Sequence, residues 1–478
     1  MLSMSVRNLL VVCLLASGLA PAVGQRQFPP EWKTLEGHEP VPEWLRDAKF
    51  GIYCHWGIYT VPAFGNEQYI HWMYMTPDEG PGLMGTRDRQ EALYGPLSTF
   101  GYHDFIPRFK AERFDADAWA DLFRQSGARF AGLVGEHHDG FAMWDSKVTP
   151  WNAKRMGPRR DVVGELGRAI RARGMKFIVS LHHENNYYYV RMRPGLKGYD
   201  RKYERFYGSL MPRRQWYQMW YDKTAEVIDR YCPDLIYFDA WMDSIPNDLK
   251  FRFAKHYFDH ARQTGQQVTF TYKNEDFPRS VAMLDHEMAS PDEIDSIPWL
   301  CDWTISTGYH QSWGYVNGMQ VRSPAEIIHK LIEVVANNGQ LLLNLSPMAD
   351  GTFPQNQIDC MANVGVWLWS YGEAIYGTRP FAVSHETTPD GTRVFYTRKG
   401  RNVYAILLDW PGTERPLLLR ALNKTHLGGR QVRSATLLSV KRHYDSLFSQ
   451  SDEGLTVTFR KGSRMPSDAA SVVRIELE

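Results

Sequence analysis

Five short apolar runs in this sequence stop on residues that titrate or stack. The stretch "KFGIYCHWGIYTVPAFGNEQY" (residues 49–69) passes through Phe50, Gly51, Ile52, Tyr53 and Cys54, ends at His55, and brings in Glu67 after a loop containing Pro and Gly. "GEHHDGF" supplies Glu136, His137, His138 and Asp139, and "SLHHEN" supplies His182, His183 and Glu184. "LIYFDAW" supplies Tyr237, Asp239 and Trp241, and "TYKNED" supplies Lys273, Asn274, Glu275 and Asp276. Singly, each has an ordinary explanation. A histidine closing a strand is commonly a satisfied structural group, Asp239 is of the type that caps helices, and Glu67 suits a solvated loop. Five such endings at equivalent positions describe one polar pocket with aromatic walls.

Several chemistries are disfavoured. Paired histidines invite a metal, but neighbours on an extended segment point to opposite faces, so each pair offers one ligand at most. There is no HxH or HExxH, no G-x-S-x-G elbow and no Gly-rich phosphate loop. No metal and no cofactor is expected. Two carboxylates acting on a glycosidic bond fit better. One attacks the anomeric carbon, the other donates a proton, and they stand about 5 Å apart in retaining enzymes. Histidines and Glu67 suit sugar hydroxyls, and Trp and Tyr suit the apolar face of a sugar ring. Asp239 is the candidate nucleophile.

Such residues need strands that end together. Apolar runs at 50–54, 130–134, 176–181, 235–238, 268–272 and 341–345 alternate with helical patterns at 117–126, 162–173, 216–231, 250–264, 324–337 and 355–371. Almost wholly apolar strands alternating with helices imply a parallel sheet covered on both faces. The number of units favours an α/β fold of the (β/α)8-like, TIM-type barrel kind over an open doubly wound sheet, since no G-x-G-x-x-G follows the first strand. Barrel sites lie at the C-terminal ends of the strands, where these residues fall. After Pro380, short runs at 392–397, 403–408, 431–438, 455–459 and 470–477 are separated by Gly, Asp and Pro turns, which implies a C-terminal antiparallel β-sandwich. The expected organisation is a signal peptide at 1–24, a catalytic barrel at 25–378 and the sandwich at 379–478.

Composition narrows the partners. With 478 residues and a formal charge of +1, the chain is long enough for two or three domains and offers no charge excess for nucleic acid or an anionic membrane. Aromatics make up 13%, including 16 Trp, enough for a large core and for sugar-stacking surfaces as well. Arg7, an apolar run over 9–19 and small residues to Gly24 form a secretory signal pattern with cleavage expected near Gly24, and the run is short for a membrane span. Cys54, Cys232, Cys301 and Cys360 are scattered without CxxC, so no zinc knuckle is expected. Asn423-Lys424-Thr425 is a glycosylation sequon. Asn344-Leu345-Ser346 also fits, but falls in an expected core strand.

Long motifs in order now give a family. "KFGIYCHWGIYTVPAFGNEQY", "HHDGFAMWDS", "RRDVVGELGRAIRARGMKF", "PDLIYFDAW", "NNGQLLLNLSPMADGTFP" and "YGEAIYGTRP" resemble, in sequence, the motifs of the α-L-fucosidases of glycoside hydrolase family 29. The resemblance implies a barrel followed by a β-sandwich and a metal-free retaining mechanism on fucosylated glycans. It implies Asp239 as nucleophile, His55, Glu67, His137 and His138 as hydroxyl ligands, and Trp313 and Tyr237 as aromatics at the sugar. The acid/base lies on a variable loop, with Glu287 in "LDHEMAS" the first candidate and Glu293 the second. Three departures stand out. The usual EWY reads Glu67-Gln68-Tyr69, Lys273 replaces an arginine as a substrate-binding group, and the usual Tyr and Ser of the third strand are replaced in "VSLHHENNYY". A lysine lacks the arginine's bidentate fork. The alternatives are a glycosidase for a related sugar, such as an α-L-galactoside, or a catalytically weak sugar-binding protein. The signal implies a secreted, periplasmic or lysosomal location.

Overall fold

Successive residues of a strand face opposite sides, so a strand covered on both sides needs two apolar sets. Eight parallel strands meet that demand: β1 (Phe50–Cys54), β2 (Phe130–Glu136), β3 (Lys176–Leu181), β4 (Leu235–Phe238), β5 (Thr269–Tyr272), β6 (Met283–Leu284), β7 (Trp299–Thr304) and β8 (Gly339–Leu345). One set, including Ile52, Leu133, Val179, Phe238, Phe270 and Leu343, joins the large core shared with the helices. The other, including Tyr53, Val134, Ile178, Tyr237, Met283, Leu300 and Leu342, fills the centre, where Val41, Leu45 and Ala48 from the segment before β1 join it. The computed structural model describes residues 28–239, 242–308, 312–439, 443–461, 463 and 467–478. The expected signal peptide at 1–24 and Trp241 lie outside the described residues.

Hydrogen-bonded order is β6-β5-β4-β3-β2-β1-β8-β7, all parallel, and one bridge from Asp285 to Leu300 nearly closes the barrel. Six longer helices surround it: α1 (Ala116–Gln125), α2 (Val162–Ala172), α3 (Arg213–Tyr231), α4 (Asn247–Thr264), α5 (Pro324–Ala336) and α6 (Gln355–Tyr371). Their starts follow local chemistry. Asp115 accepts from the amides of Asp117 and Ala118, Asp161 accepts from that of Gly164, and Ser323 with Glu326 forms a capping box. Among the described residues, no helix separates β5 from β6 or β6 from β7. The barrel is therefore thin on that side. Beyond the pattern-predicted strands, β6 and β7 complete the ring.

The C-terminal unit has two antiparallel sheets built from β9 (Arg379–Thr387), β10 (Arg393–Lys399), β11 (Asn402–Leu407), β12 (Pro416–Leu419), β13 (Val432–Leu437), β14 (Tyr444–Asp445), β15 (Leu447–Ser451), β16 (Gly454–Thr458) and β17 (Ser471–Leu477). Their orders are β9-β10-β11-β17-β13-β14 and β12-β16-β15. Val394, Val403, Leu417, Leu455, Val457 and Ile475 share its core. The outer face of the larger sheet presents Tyr404, Ile406 and Val472 to the barrel core, and Trp367 Nε1 of α6 donates to the carbonyl of Ala470 at 3.0 Å. Cys54, Cys232, Cys301 and Cys360 are free thiols. No helix among the described residues is long and apolar enough to cross a membrane.

Candidate active site

A β-bulge at the end of β2 aims the histidines. The register of β2 against β3 shifts between Val134 and Glu136, the signature of a bulge that re-aims side chains. Val134 faces the barrel interior, and without the shift Glu136, two residues on, would face inward too. Instead Glu136 Oε1 accepts from Lys223 Nζ of α3 at 2.6 Å, with both side chains buried, and the interior position passes to His137. The chain then turns through Gly140 (φ 81°), where a Cβ would lie 2.3 Å from the carbonyl oxygen of Phe206. The His137 and His138 rings stand 4.5 Å apart between centroids, and both lie against His182, at 5.1 and 5.6 Å. The expectation that adjacent histidines here point to opposite faces is therefore corrected, because the strand ends at Glu136 and the pair sits beyond it on a turn.

The other strands deliver residues by plain alternation. On β1, Tyr53 faces inward, so His55 does too. The His55 amide and Nδ1–H both donate to Asn344 Oδ1 of β8, at 2.8 and 2.9 Å, and Asn344 Nδ2 donates to the carbonyl of Trp313 at 2.7 Å. Beyond β3, Ser180 Oγ–H donates to His182 Nε2 at 2.6 Å, and His182 Nδ1 lies 3.2 Å from Asp239 Oδ2. His138 Nδ1–H donates to the carbonyl of His182 at 2.6 Å, leaving Nε2 3.7 Å from Asp239 Oδ2. Burial holds His55 and His137 well below the usual imidazole range and His138 at about 4. Neutral imidazoles, able to donate and accept, result.

Glu67 reaches the same pocket from the loop after β1. Its Oε2 accepts from the Trp313 amide at 2.8 Å and from the Gly314 amide and Ser312 Oγ at 3.3 Å each. Burial still raises its carboxyl. The half-buried Trp313 ring lies 5.4 Å from His55, and Tyr189 lies 4.6 Å from His138. His137 Nδ1 and the hydroxyls of Tyr59 and Tyr189 are buried without a protein hydrogen-bond partner. Polar groups of this kind suit a ligand rich in hydroxyls.

Next to the histidines is an acidic group organised by one lysine. Asp239 sits just past β4, 22% exposed, with Oδ1 accepting from Lys273 Nζ at 2.9 Å. The same ammonium donates to Glu287 Oε2 at 2.7 Å and lies 3.9 Å from Asp285 Oδ2. Oxygens of Asp239, Glu287 and Asp302 all lie within 4.8 Å of one another. Burial pushes Asp239 up, but the Lys273 ammonium, with the ring nitrogens of His182 and His138 beside it, prevails and holds it well below the usual carboxylate range. Burial raises Glu287 to about 7, with Lys273 opposing and the Asp302 and Asp239 charges adding. For Lys273 burial is outweighed by Asp239 and the other carboxylates, so it stays charged.

Tyr237 is placed differently from the aromatic sugar contact that the sequence implies. Its ring is fully buried and its hydroxyl donates to Asp285 Oδ2 at 2.9 Å. Tyr237 precedes Asp239 by two residues on the inward face, one layer deeper, so it supports the pocket floor. Glu293 is an exposed loop residue, whereas Glu287 stands at Lys273. His182, one of the strand-ending residues that the sequence singles out, joins the site, and Asn344, Asp285, Asp302 and Tyr189 join it without having been singled out. For His182, Asn344 and Asp302 the signal is inward parity, two residues after Ser180, Leu342 and Leu300. A groove of about 620 Å³ lined by His38, Arg46, Phe258 and Arg262 contains none of these residues.

The chain is similar to known proteins along most of its length. The family model described as "Alpha-L-fucosidase" matches residues 15–373, and "Alpha-L-fucosidase C-terminal domain" matches residues 387–476. Tissue alpha-L-fucosidase of Bos taurus is 33% identical over 431 residues, covering 84% of this chain and 83% of that protein. Plasma alpha-L-fucosidase of Homo sapiens is 32% identical over 431 residues, covering 86% and 85%. The crystal structure of Thermotoga maritima alpha-fucosidase in complex with fucose superposes with a TM-score of 0.74 at 27% identity, covering 94% of this chain and 100% of that one.

Proposed function

The chain belongs to the α-L-fucosidase family of glycoside hydrolases, and from that premise we propose that it removes terminal α-L-fucosyl residues from glycans with retention, by double displacement. Asp239 attacks the anomeric carbon while Glu287 protonates the departing glycosidic oxygen. Glu287, now a carboxylate, then takes a proton from the water that attacks the same carbon and releases Asp239. The observation carrying this reading is the approach of the two carboxylates to within 4.8 Å. A retaining pair stands about 5–5.5 Å apart, whereas an inverting pair needs about 6.5–9.5 Å to admit a water. The opposed shifts of Asp239 and Glu287 also suit a nucleophile and an acid.

His55, Glu67, His137 and His138 hold ring hydroxyls in this reading, and Trp313 packs on the sugar's apolar edge. Lys273 aligns the two carboxylates and Tyr237 supports them from below. The fucose complex of the Thermotoga maritima relative supports fucose as the sugar. The catalytic unit is read as 25–378 and the C-terminal unit as 379–478. Residues 1–24 are read as an export signal, in keeping with the tissue and plasma enzymes among the relatives.

The test is p-nitrophenol release from p-nitrophenyl α-L-fucoside by wild type and Asp239→Ala, with azide added to the variant. Wild-type turnover, loss of about 10⁴-fold or more in the variant and rescue as β-fucosyl azide are expected. A folded wild type inert on this substrate would overturn the reading, and turnover of the α-L-galactoside alone would replace the sugar.

A further inference from the structure

We propose that the histidine pocket also binds one divalent transition-metal ion, Zn²⁺ or Cu²⁺, on His55, His137 and His182, and that the ion reversibly blocks the substrate's hydroxyl site. The blocking half rests on the proposed function, while the binding half does not.

Three buried imidazoles present ring nitrogens that all lie within 4.8 Å of one another. A tetrahedral ion with Zn–N of about 2.0–2.1 Å brings its ligand nitrogens to about 3.3 Å apart. The closure needed is at most about 1.5 Å, shared between two rings. Metal-binding histidines are normally steadied through their second nitrogen, and two of these already are. Asn344 Oδ1 accepts from His55 Nδ1–H, which leaves His55 Nε2 for an ion, and Ser180 Oγ, paired with His182 Nε2, accepts Nε2–H once an ion takes Nδ1. His137 Nδ1 is buried with no hydrogen-bond partner in the protein.

Charge favours the same place. Asp239 Oδ2 lies 3.2 Å from His182 Nδ1, and His138, His182 and Asp239 form a second close set sharing His182. An ion at His182 Nδ1 takes the place of the proton there, which moves to Nε2 and is donated to Ser180 Oγ. Imidazole donors suit Zn²⁺ and Cu²⁺, and an imidazole-dominated site does not suit Mg²⁺ or Ca²⁺.

The experiment is calorimetric titration of the full chain with ZnCl₂ and CuCl₂, beside inhibition kinetics. One ion per chain is expected. KM for p-nitrophenyl α-L-fucoside should rise with kcat unchanged, EDTA should restore activity, and saturating L-fucose should weaken Zn²⁺ binding. His137→Gln and His55→Gln, checked for folding by circular dichroism, should each weaken binding at least tenfold. Cys232→Ser, which removes the thiol lying 3.9 Å from His260 Nε2, should not. L-fucose competition needs no variant, so a misfolded variant leaves the proposal testable. No binding, binding lost only in Cys232→Ser, or inhibition insensitive to substrate would overturn it. Histidine-dependent binding in a chain that hydrolyses no fucoside would keep the metal site and remove the proposed function.

Discussion

Asp239 and Glu287 face each other across a single ammonium. Lys273 Nζ lies 2.9 Å from Asp239 Oδ1 and 2.7 Å from Glu287 Oε2. One cation thus acts on both carboxylates, yet they end far apart, with Asp239 well below the usual range and Glu287 near 7. The difference comes from the rest of the surroundings. Asp239 has the His182 and His138 imidazoles beside it, whereas Glu287 has the Asp302 and Asp239 charges.

The first prediction concerns pH. The first step needs Asp239 ionised and Glu287 protonated. Raising pH through about 7 removes the Glu287 proton and lowers kcat/KM, while acid lowers it only as Asp239 takes up a proton, well below the ordinary carboxylate range. Glu287→Gln should abolish the alkaline limb and cost about 10²–10⁴-fold on a natural glycan, with a smaller loss on aryl fucosides whose leaving groups need little protonation. Initial rates across pH for both enzymes check this.

Lys273→Met should move both limbs the same way. The ammonium lowers both carboxylates, so its loss raises both, and the whole profile shifts alkaline by about 1–3 pH units. Lys273→Arg keeps the charge and should shift it less. A shift of one limb alone would show that the cation serves only one carboxylate.

Asn344→Ala should separate the orientation of His55 from its presence. The change leaves the buried His55 amide and Nδ1–H without their Asn344 acceptor, while the Trp313 carbonyl keeps Ser346 Oγ. Each orphaned group costs about 1–3 kcal/mol, read by urea unfolding. KM for p-nitrophenyl α-L-fucoside should rise more than kcat falls, since His55 is assigned to ground-state binding.

Lys223→Met should destabilise by about 3–5 kcal/mol, because it strands the fully buried Glu136 carboxylate. Lys223→Met with Glu136→Leu should recover most of that loss. If the double variant is as unstable as the single one, the ion pair is not the source. Activity of the double variant reports whether the bulge, and not the pair, aims His137.

Much of this site was legible in the sequence because alternation is local. His55, Asp239 and Lys273 each follow an inward-facing residue by two, and each closes an apolar run that reads as a strand. What was missed has physical causes. Strand β7 reads Trp299-Leu300-Cys301-Asp302-Trp303-Thr304, and its buried aspartate interrupts the apolar signal. Strand β6 has two residues, too few for any period. The facing of His137 and His138 depends on a bulge against β3, a relation between strands that one strand's pattern does not contain. Tyr237 has the right type and parity, but its depth in the barrel is a property of the closed sheet.

The bare side of the barrel has a consequence for how this enzyme can change. Strands β5 and β6 are followed by loops alone, and those loops carry Lys273 and Glu287. A loop that leads into no helix can gain or lose residues without re-docking anything against the sheet. The strands bearing His55, His137, His182 and Asp239 are followed by packed helices, which resist such change. In the proposed reading, the strand-borne part of the pocket assigned to the sugar is thus anchored, while the part assigned to the leaving group sits on loops that lead into no helix. On those roles, a change of linkage would call for new loops after β5 and β6 and leave the histidine-bearing strands as they are.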